Sequence, residues 1–567
     1  MQSAAAVLAV CAAFAAACAF AAPAPLPGES GAEAGSGLVY GVVEIPFTGP
    51  ECGPTDAPAR DIVLAARFRH EGGGPDIVVH GFWDGDGAGG PRGNVFKVRF
   101  CPVKPGRWTL VEVSSTNALL NGRRQGDYVT AAPAPLAGFW TPDDASPGRR
   151  WYRRADGSHP YIVGNTHYSF LSETDDQGRT LPGTIAASIV AQAPYFNKIR
   201  FSLLPCRYPH PTDKPFFDAS GKPSDDGNDS LRPNPGWFHR RADVAVRACF
   251  DADVIADLIL NGPDTPESRS ALRSEANGGD PAPYLRYVAA RYGSFANVWM
   301  CLANEWNIKT PRYQPQDIIR AAGLVRACLP YPTPLSVHGD HGDWAAALNT
   351  DPPWNDHVIV QGKIKRLDTA ASFLGGNYAE GGRRMPVIND ELGYEGAGDK
   401  FSREDVVEGH LGAFLGGGYG TTGHKPGNKQ GHYFWGRFDA REHSAAASLG
   451  WMRKAIDRHI AFWQMAPAAP ETMVTGVPRS ARALAWEGRE FVLGTREEAR
   501  GLKAKLPAGV WSVRRMDVLA MTDELLSETA EGEFVFDVPA SRAVLVHFKR
   551  LIGAVGFLPP PRERSRG

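Results

Sequence analysis

The sequence contains no C-x-x-C pair, no excess of charge of either sign, no internal repeat, and no apolar run after its first 22 residues long enough to cross a bilayer. Without closely spaced cysteine pairs a zinc ribbon is excluded. Lys plus Arg total 61 against 62 for Asp plus Glu, so neither nucleic acid nor an anionic membrane surface is an expected partner. Of the eight cysteines, Cys11 and Cys18 fall in the apolar leader; Cys52, Cys101, Cys206, Cys249, Cys301 and Cys328 remain. In an oxidising compartment Cys52–Cys101 is the expected disulfide, and Cys301, inside an apolar run, reads as a buried thiol.

What is present begins with an address. Ala4 to Ala22 is apolar, and Ala19-Phe20-Ala21 fits an A-x-A cleavage site. A Pro- and Gly-rich stretch, Pro23 to Gly37, follows. Residues 1–22 therefore read as a signal peptide, with the product secreted, periplasmic or held at the cell surface. A membrane anchor is the alternative, since no Lys or Arg precedes the run and ~20 apolar residues can span a bilayer. Ala16-Ala17-Cys18 is a poor match to a lipid-attachment box. At 567 residues the chain exceeds one ordinary domain of ~100–200 residues, although a barrel alone uses about 250. The 14 Trp and 16 Tyr suit a sugar binder, because aromatic faces pack on the C–H faces of pyranose rings; cores also consume such residues.

Residues 38–135 hold short strand-like runs, among them Val39 to Ile45, Ile77 to Trp83 and Trp108 to Val113, and predict a β-sandwich. Pro133 to Pro147 reads as a linker. Over 150–465, apolar strands alternate with helical patterns. The strands are Tyr161 to Asn165, Asn197 to Leu203, Val254 to Leu260, Asn297 to Ala303, Leu335 to His338, His357 to Gln361, Met385 to Asn389, and an eighth near Gly418 to His424. Leu285, Val288, Ala289 and Tyr292 mark the helix before the fourth. Eight near-continuous apolar strands separated by helices specify a parallel (β/α)8 barrel. Residues 466–550 return to strands and predict a second β-sandwich, and the basic tail 551–567 is expected to be disordered.

In such a barrel, catalytic groups sit at the C-terminal ends of the strands. Those ends are polar here: Asn165 and His167 after the first, Arg200 on the second, Asn261 after the third, Asn304-Glu305-Trp306 after the fourth. His338 and Asp340 follow the fifth, Gln361 the sixth, Asp390 and Glu391 the seventh. A folded barrel has little structural need for this, so a polar active-site mouth is implied. Three βα units fill the interval between Glu305 and Glu391, which places them on facing strands. Glycoside hydrolysis needs two carboxyl groups, about 5–5.5 Å apart when configuration is retained. One donates a proton to the leaving oxygen, and the other attacks the anomeric carbon. Arg200 is expected to hold Glu391 ionised, and burial with the charge of Glu391 to raise Glu305.

Asn304-Glu305 after an apolar strand, a second Glu three units later and Arg200 on strand two together resemble the clan A retaining glycoside hydrolases. That resemblance implies Glu305 as acid/base, Glu391 as nucleophile, Asn304 as a contact to the sugar 2-hydroxyl and Arg200 as the supporting arginine. Asn389 to Gly396, Asp156-Gly157-Ser158 and the Gly-rich approach to strand eight are similar to an apiosidase-like branch. That branch often carries a β-sandwich on each side of the barrel. The resemblance covers residues 38–550 and implies a poly- or oligosaccharide substrate, no cofactor and no metal. The chain is expected to act as a monomer.

Alternatives stand beside each residue. Glu395 and Asp390 compete with Glu391, although Asp390 is expected to point away if Glu391 points inward. Glu305 has a structural reading as an ion-pair partner of Arg200. His338, with Asp340 and His341, suggests either a sugar contact or a metal-dependent hydrolase. Asn165, His167 and Trp306 line the pocket or simply pack. Trp435 is a candidate stacking platform, and Arg207, His210 and Trp237 are candidate contacts from the long 205–240 insertion. Gly416 to Gly420 reads as a tight approach in the barrel and not as a phosphate loop. A non-catalytic carbohydrate-binding barrel is the competing whole-protein reading.

Overall fold

The computed structural model describes residues 31–168, 171, 182–204, 213–261, 272, 279–308, 313–339, 348, 350–380, 384–425 and 438–551. The expected signal peptide, the tail beyond 551, Cys206, Arg207, His210, Asp340, His341 and Trp435 lie outside those residues.

Eight parallel strands form the central sheet: β1 (Val163–Thr166), β2 (Lys198–Ser202), β3 (Ile255–Ile259), β4 (Val298–Cys301), β5 (Leu335–Ser336), β6 (Val358–Val360), β7 (Val387–Glu395) and β8 (Tyr419–His424). They pair in the order β5-β4-β3-β2-β1-β8-β7-β6. A single parallel bridge, His338 to Ile359, spans the remaining gap and nearly closes the barrel. The strands read as continuous apolar runs because both faces are covered: Ile199, Ala256 and Leu258 face the helix layer, while Ile255, Trp299 and Ile388 fill the interior. Helices Pro182–Gln192, Asp243–Asp251, Ala282–Tyr292, Pro315–Cys328, Leu367–Glu380, Arg403–Leu415 and Ala445–His459 form that layer. A Cβ on Gly418 would come within 2.5 Å of the Val387 carbonyl oxygen, which accounts for glycine at this close approach to β7.

The expected linker does more than connect. It carries one strand of a small ribbon, Trp140–Pro142, paired with Tyr152–Arg154 just beyond the linker. Trp140 meets Trp299 edge-on and Tyr152 packs against it at a tilt, at centroid separations of 6.1 and 4.5 Å, and so they close the floor of the barrel.

On one side of the barrel, seven strands between Glu33 and Ala132 pair in one continuous order. Their alternating burial, seen along Val43–Cys52, gathers Ile45, Phe68, Val98 and Leu110 into one core. The expected Cys52–Cys101 disulfide is absent, and both thiols are free and buried. Cys52 pairs with Gly93 while Val43 pairs with Phe100, so the two cysteines sit at opposite ends of the same strand pair. On the other side, six strands and three strands form two antiparallel sheets over a shared core that includes Leu493, Trp511, Val513 and Phe548.

Ion clusters fix both flanks to the barrel. Asp243 lies 2.7 Å from Arg99 of the N-terminal sheet and 2.7 Å from Arg291 of the barrel, and Arg291 reaches Asp84 at 2.8 Å. Glu408, fully buried on Arg403–Leu415, accepts from Arg496 and from Arg542 at 2.7 Å, both in connections between strands of the C-terminal sheets.

Candidate active site

Alternation along β2 turns Lys198 and Arg200 into the barrel. Lys198 Nζ lies 2.6 Å from Asp390 and 2.7 Å from Asp257, and Thr421 donates to Asp390 at 2.5 Å. All four side chains are buried. Burial pushes the Asp390 carboxyl up, but Lys198 and Arg200 outweigh it and hold the group well below the usual carboxylate range. This charged layer is a base on which the polar groups above it stand.

The layer above is built around Arg200. One guanidinium nitrogen donates to the Tyr168 hydroxyl at 2.9 Å. The other donates to Asn304 Oδ1 and lies 2.9 Å from His338 Nδ1. Tyr168 in turn donates to Glu391 Oε1 at 2.5 Å. Gln361 Nε2 donates to Glu391 Oε2 at 2.9 Å and to Glu305 Oε1 at 3.3 Å. The two glutamates therefore converge on one amide nitrogen. Glu391 is buried and Glu305 is half-buried. Glu305 also holds φ of +47°, a left-handed backbone that costs a non-glycine residue of order 1 kcal/mol. Such strain clusters where a side chain must be aimed.

Burial, and then the charge of Glu305, push Glu391 up to about 7, against the Tyr168 hydroxyl and Arg200. Burial followed by Arg200 holds His338 well below the ordinary imidazole value, so its ring is neutral. Burial raises the Tyr168 hydroxyl, which stays protonated and can donate.

Several sequence expectations change here. Arg200 reaches Glu391 through Tyr168 and not directly. Burial falls more heavily on Glu391 than on Glu305. Asp390 does not point away; both it and Glu391 enter the barrel. The β7–β8 register shifts between Asn389 and Gly393, which breaks the alternation that would oppose them. Gly393 makes the shift possible: its φ is +147°, and a Cβ there would stand 2.2 Å from the Phe401 ring. Glu395 is occupied elsewhere. It accepts from the Ser444 and Ala445 backbone N–H groups at 3.1 and 2.9 Å, capping helix Ala445–His459.

Asn165 and His167 turn outward. Asn165 donates to Gln192 of helix Pro182–Gln192 at 2.6 Å, and His167 Nδ1 lies 3.4 Å from the same Gln192. The register explains it: Thr166 pairs with inward Arg200, while Asn165 pairs with outward Ile199. Trp306 is packed in the main core beside Tyr313, and Trp237 is fully buried beneath Arg241. Among the described residues no group of three His, Cys, Asp or Glu is arranged to hold a metal. Tyr168 was missed by sequence reasoning, and Gln361 was noted only as a polar strand end. Counting by twos from the residue paired with Arg200 leads from Thr166 to Tyr168 and would have found the first.

A family described as a domain of unknown function (DUF5060) matches residues 38–115. No curated protein matches the sequence. Among solved structures, the chain is similar to a candidate glycoside hydrolase from Bacteroides vulgatus ATCC 8482, with a TM-score of 0.69, 22% identity, and coverage of 91% of this chain and 100% of that one. A protein named as a glycoside hydrolase matches at 0.56 with 13% identity, over 73% of this chain and 97% of the other. A family 5 glycoside hydrolase, again from Bacteroides vulgatus ATCC 8482, matches at 0.56 with 12% identity, over 73% and 94%. What they share with this chain is the fold.

Proposed function

We propose that this protein is an exported retaining glycoside hydrolase acting on a poly- or oligosaccharide. The observation that carries the reading is the convergence of Glu305 and Glu391 on Gln361 Nε2 at 3.3 and 2.9 Å. One nitrogen at those distances keeps the two oxygens within about 6 Å, which favours the ~5–5.5 Å spacing of retaining enzymes over the ~6.5–9.5 Å of inverting ones. The fold shared with named glycoside hydrolases supports the same reading.

Glu391 is the nucleophile: it is buried, fixed, and accepts from two donors that stabilise its anion. Glu305, half-buried and so able to exchange protons with solvent, is the acid/base. In the first step Glu305 gives its proton to the glycosidic oxygen, the bond from that oxygen to the anomeric carbon breaks, and a Glu391 oxygen bonds to that carbon. In the second, Glu305 takes a proton from water, the hydroxide oxygen bonds to the anomeric carbon, and Glu391 leaves as carboxylate. Two negative carboxylates in one buried site repel, so the pair favours holding a single proton, the state the first step needs. Asn304 and His338, both fixed by Arg200, are sugar contacts. The flanking sheets are β-sandwiches that brace the barrel.

The test is a panel of plant and microbial polysaccharides with product analysis. Glu305→Gln and Glu391→Gln are each expected to cut turnover by about 10²-fold or more with the fold intact. Wild-type turnover in both variants overturns the assignment. Saccharide binding without product release marks the non-catalytic carbohydrate-binding reading instead.

A further inference from the structure

We propose that Gln361 is a positioning residue that binds Glu305 and Glu391 into one proton-sharing unit, its amide standing between their charges. The inference rests on the assignment of those two glutamates as the reacting pair. A primary amide nitrogen carries two N–H donors and no acceptor. Here one nitrogen serves two carboxylates that approach from different strands, at 2.9 Å to Glu391 and 3.3 Å to Glu305. Only the nitrogen end of the side chain suits two anions; the oxygen end would repel both.

The amide lies beside the His338 ring. Gln361 follows β6 two residues after Ile359, which bridges to His338, and the His338 ring sits against the Gln361 side chain. His338 is held by Arg200 and Asn304. Hydrogen bonds thus run through Arg200 and Asn304 to His338, the residue whose bridge to Ile359 sets where Gln361 leaves β6. Tyr168 differs in kind: it has one hydroxyl proton, which it donates to Glu391 at 2.5 Å. Tyr168 therefore stabilises one anion, whereas Gln361 lowers the cost of having two. The rise of Glu391 caused by Glu305 is the quantity such a bridge would moderate.

The test needs no substrate. Protein labelled with 13C at the glutamate side-chain carboxyl is titrated by NMR, and the Glu391 signal is assigned by its loss in Glu391→Gln. Gln361→Met keeps the side chain's length and removes both donors; Gln361→Leu is the second variant if the first melts early. The Glu391 midpoint is expected to move upward by about one pH unit on loss of the charge-assisted donor. The same titration in Glu305→Gln, alone and combined with Gln361→Met, completes a double-mutant cycle. The downward movement caused by Glu305→Gln is expected to be larger without the amide. An unmoved midpoint, or an additive cycle in which the Glu305 effect is the same with and without Gln361, overturns the bridge. A positive cycle in a protein that cleaves no glycoside would retain the bridge and remove the glycosidase reading; an active enzyme with an additive cycle would do the reverse.

Discussion

At the scale of single residues the chemistry depends on where one proton resides. Glu391 stands at about 7 because burial and the Glu305 charge both oppose its ionisation. The nucleophile must be ionised, and a raised carboxyl becomes protonated as pH falls through its own value. For an aryl glycoside that leaves without acid help, kcat/KM is therefore expected to be full above about 7 and to fall on the acid side of it; for a glycoside that needs Glu305 as acid the singly protonated pair is required, and kcat/KM falls instead as pH rises through about 7. Glu305→Gln removes one of the two causes, so the residual activity of that variant, measured with an aryl glycoside that leaves without acid help, should keep its acid limb at lower pH. An acid limb that stays in place in Glu305→Gln separates the two residues and contradicts the pairing. The chemical types at this scale were legible in the sequence: Asn304, Glu305, Arg200, His338 and Glu391 all stand at strand ends, and the structure gathers them within one network. Phase was not legible. Asn165 and His167 are as polar as Thr166 and Tyr168, and only the pairing of Thr166 with Arg200 shows which of the two sets faces inward.

At the scale of elements the barrel was readable because strands buried on both faces are apolar throughout, which is a strong pattern. The irregularity in β7 was not. A register shift leaves no composition of its own, and Gly393 in the sequence looks like any other glycine. Its consequence is nevertheless specific: two adjacent carboxylates, Asp390 and Glu391, both enter the barrel, one to the charged base and one to the mouth. Gly393→Ala places a methyl group against Phe401 in a backbone region that L residues rarely adopt. We expect at least about 2 kcal/mol of destabilisation. We also expect a fall in kcat larger than that of a control such as Gly157→Ala, whose surroundings are open but whose φ is also positive. Equal kcat in the two variants would mean that the β7 irregularity does not aim Glu391.

At the scale of the whole molecule the flanks are held by charges that sequence reading cannot pair, because the partners are far apart: Arg99 and Asp243 are separated by 144 residues. Arg99 is fully buried, donating to Asp243, to Glu44 at 3.0 Å and to the Arg291 carbonyl at 2.7 Å. Burial raises the Asp243 carboxyl, but Arg291 and Arg99 overcome it and hold the group well below its ordinary value. A carboxyl depressed in the folded state contributes stability that is complete above its unfolded value of about 3.9, and loses it as pH falls through the folded one. This interface should consequently hold on mild acidification and fail only in strong acid. Removing Arg99 leaves Asp243 and Glu44 with one cation fewer in a buried setting, a change that costs about 3 kcal/mol. In Arg99→Met we expect calorimetry at neutral pH to resolve a separate, earlier transition of the N-terminal sheet while the barrel transition stays near its wild-type temperature. Because the charge cluster lies on the flank and the glutamates sit at the mouth, turnover below the first transition should be unchanged. A single transition at the wild-type temperature would mean that apolar contacts such as Phe82 against Tyr287, with centroids 5.8 Å apart, hold the interface without the ions. Loss of turnover before either transition would mean that the N-terminal sheet shapes the site as well as bracing it.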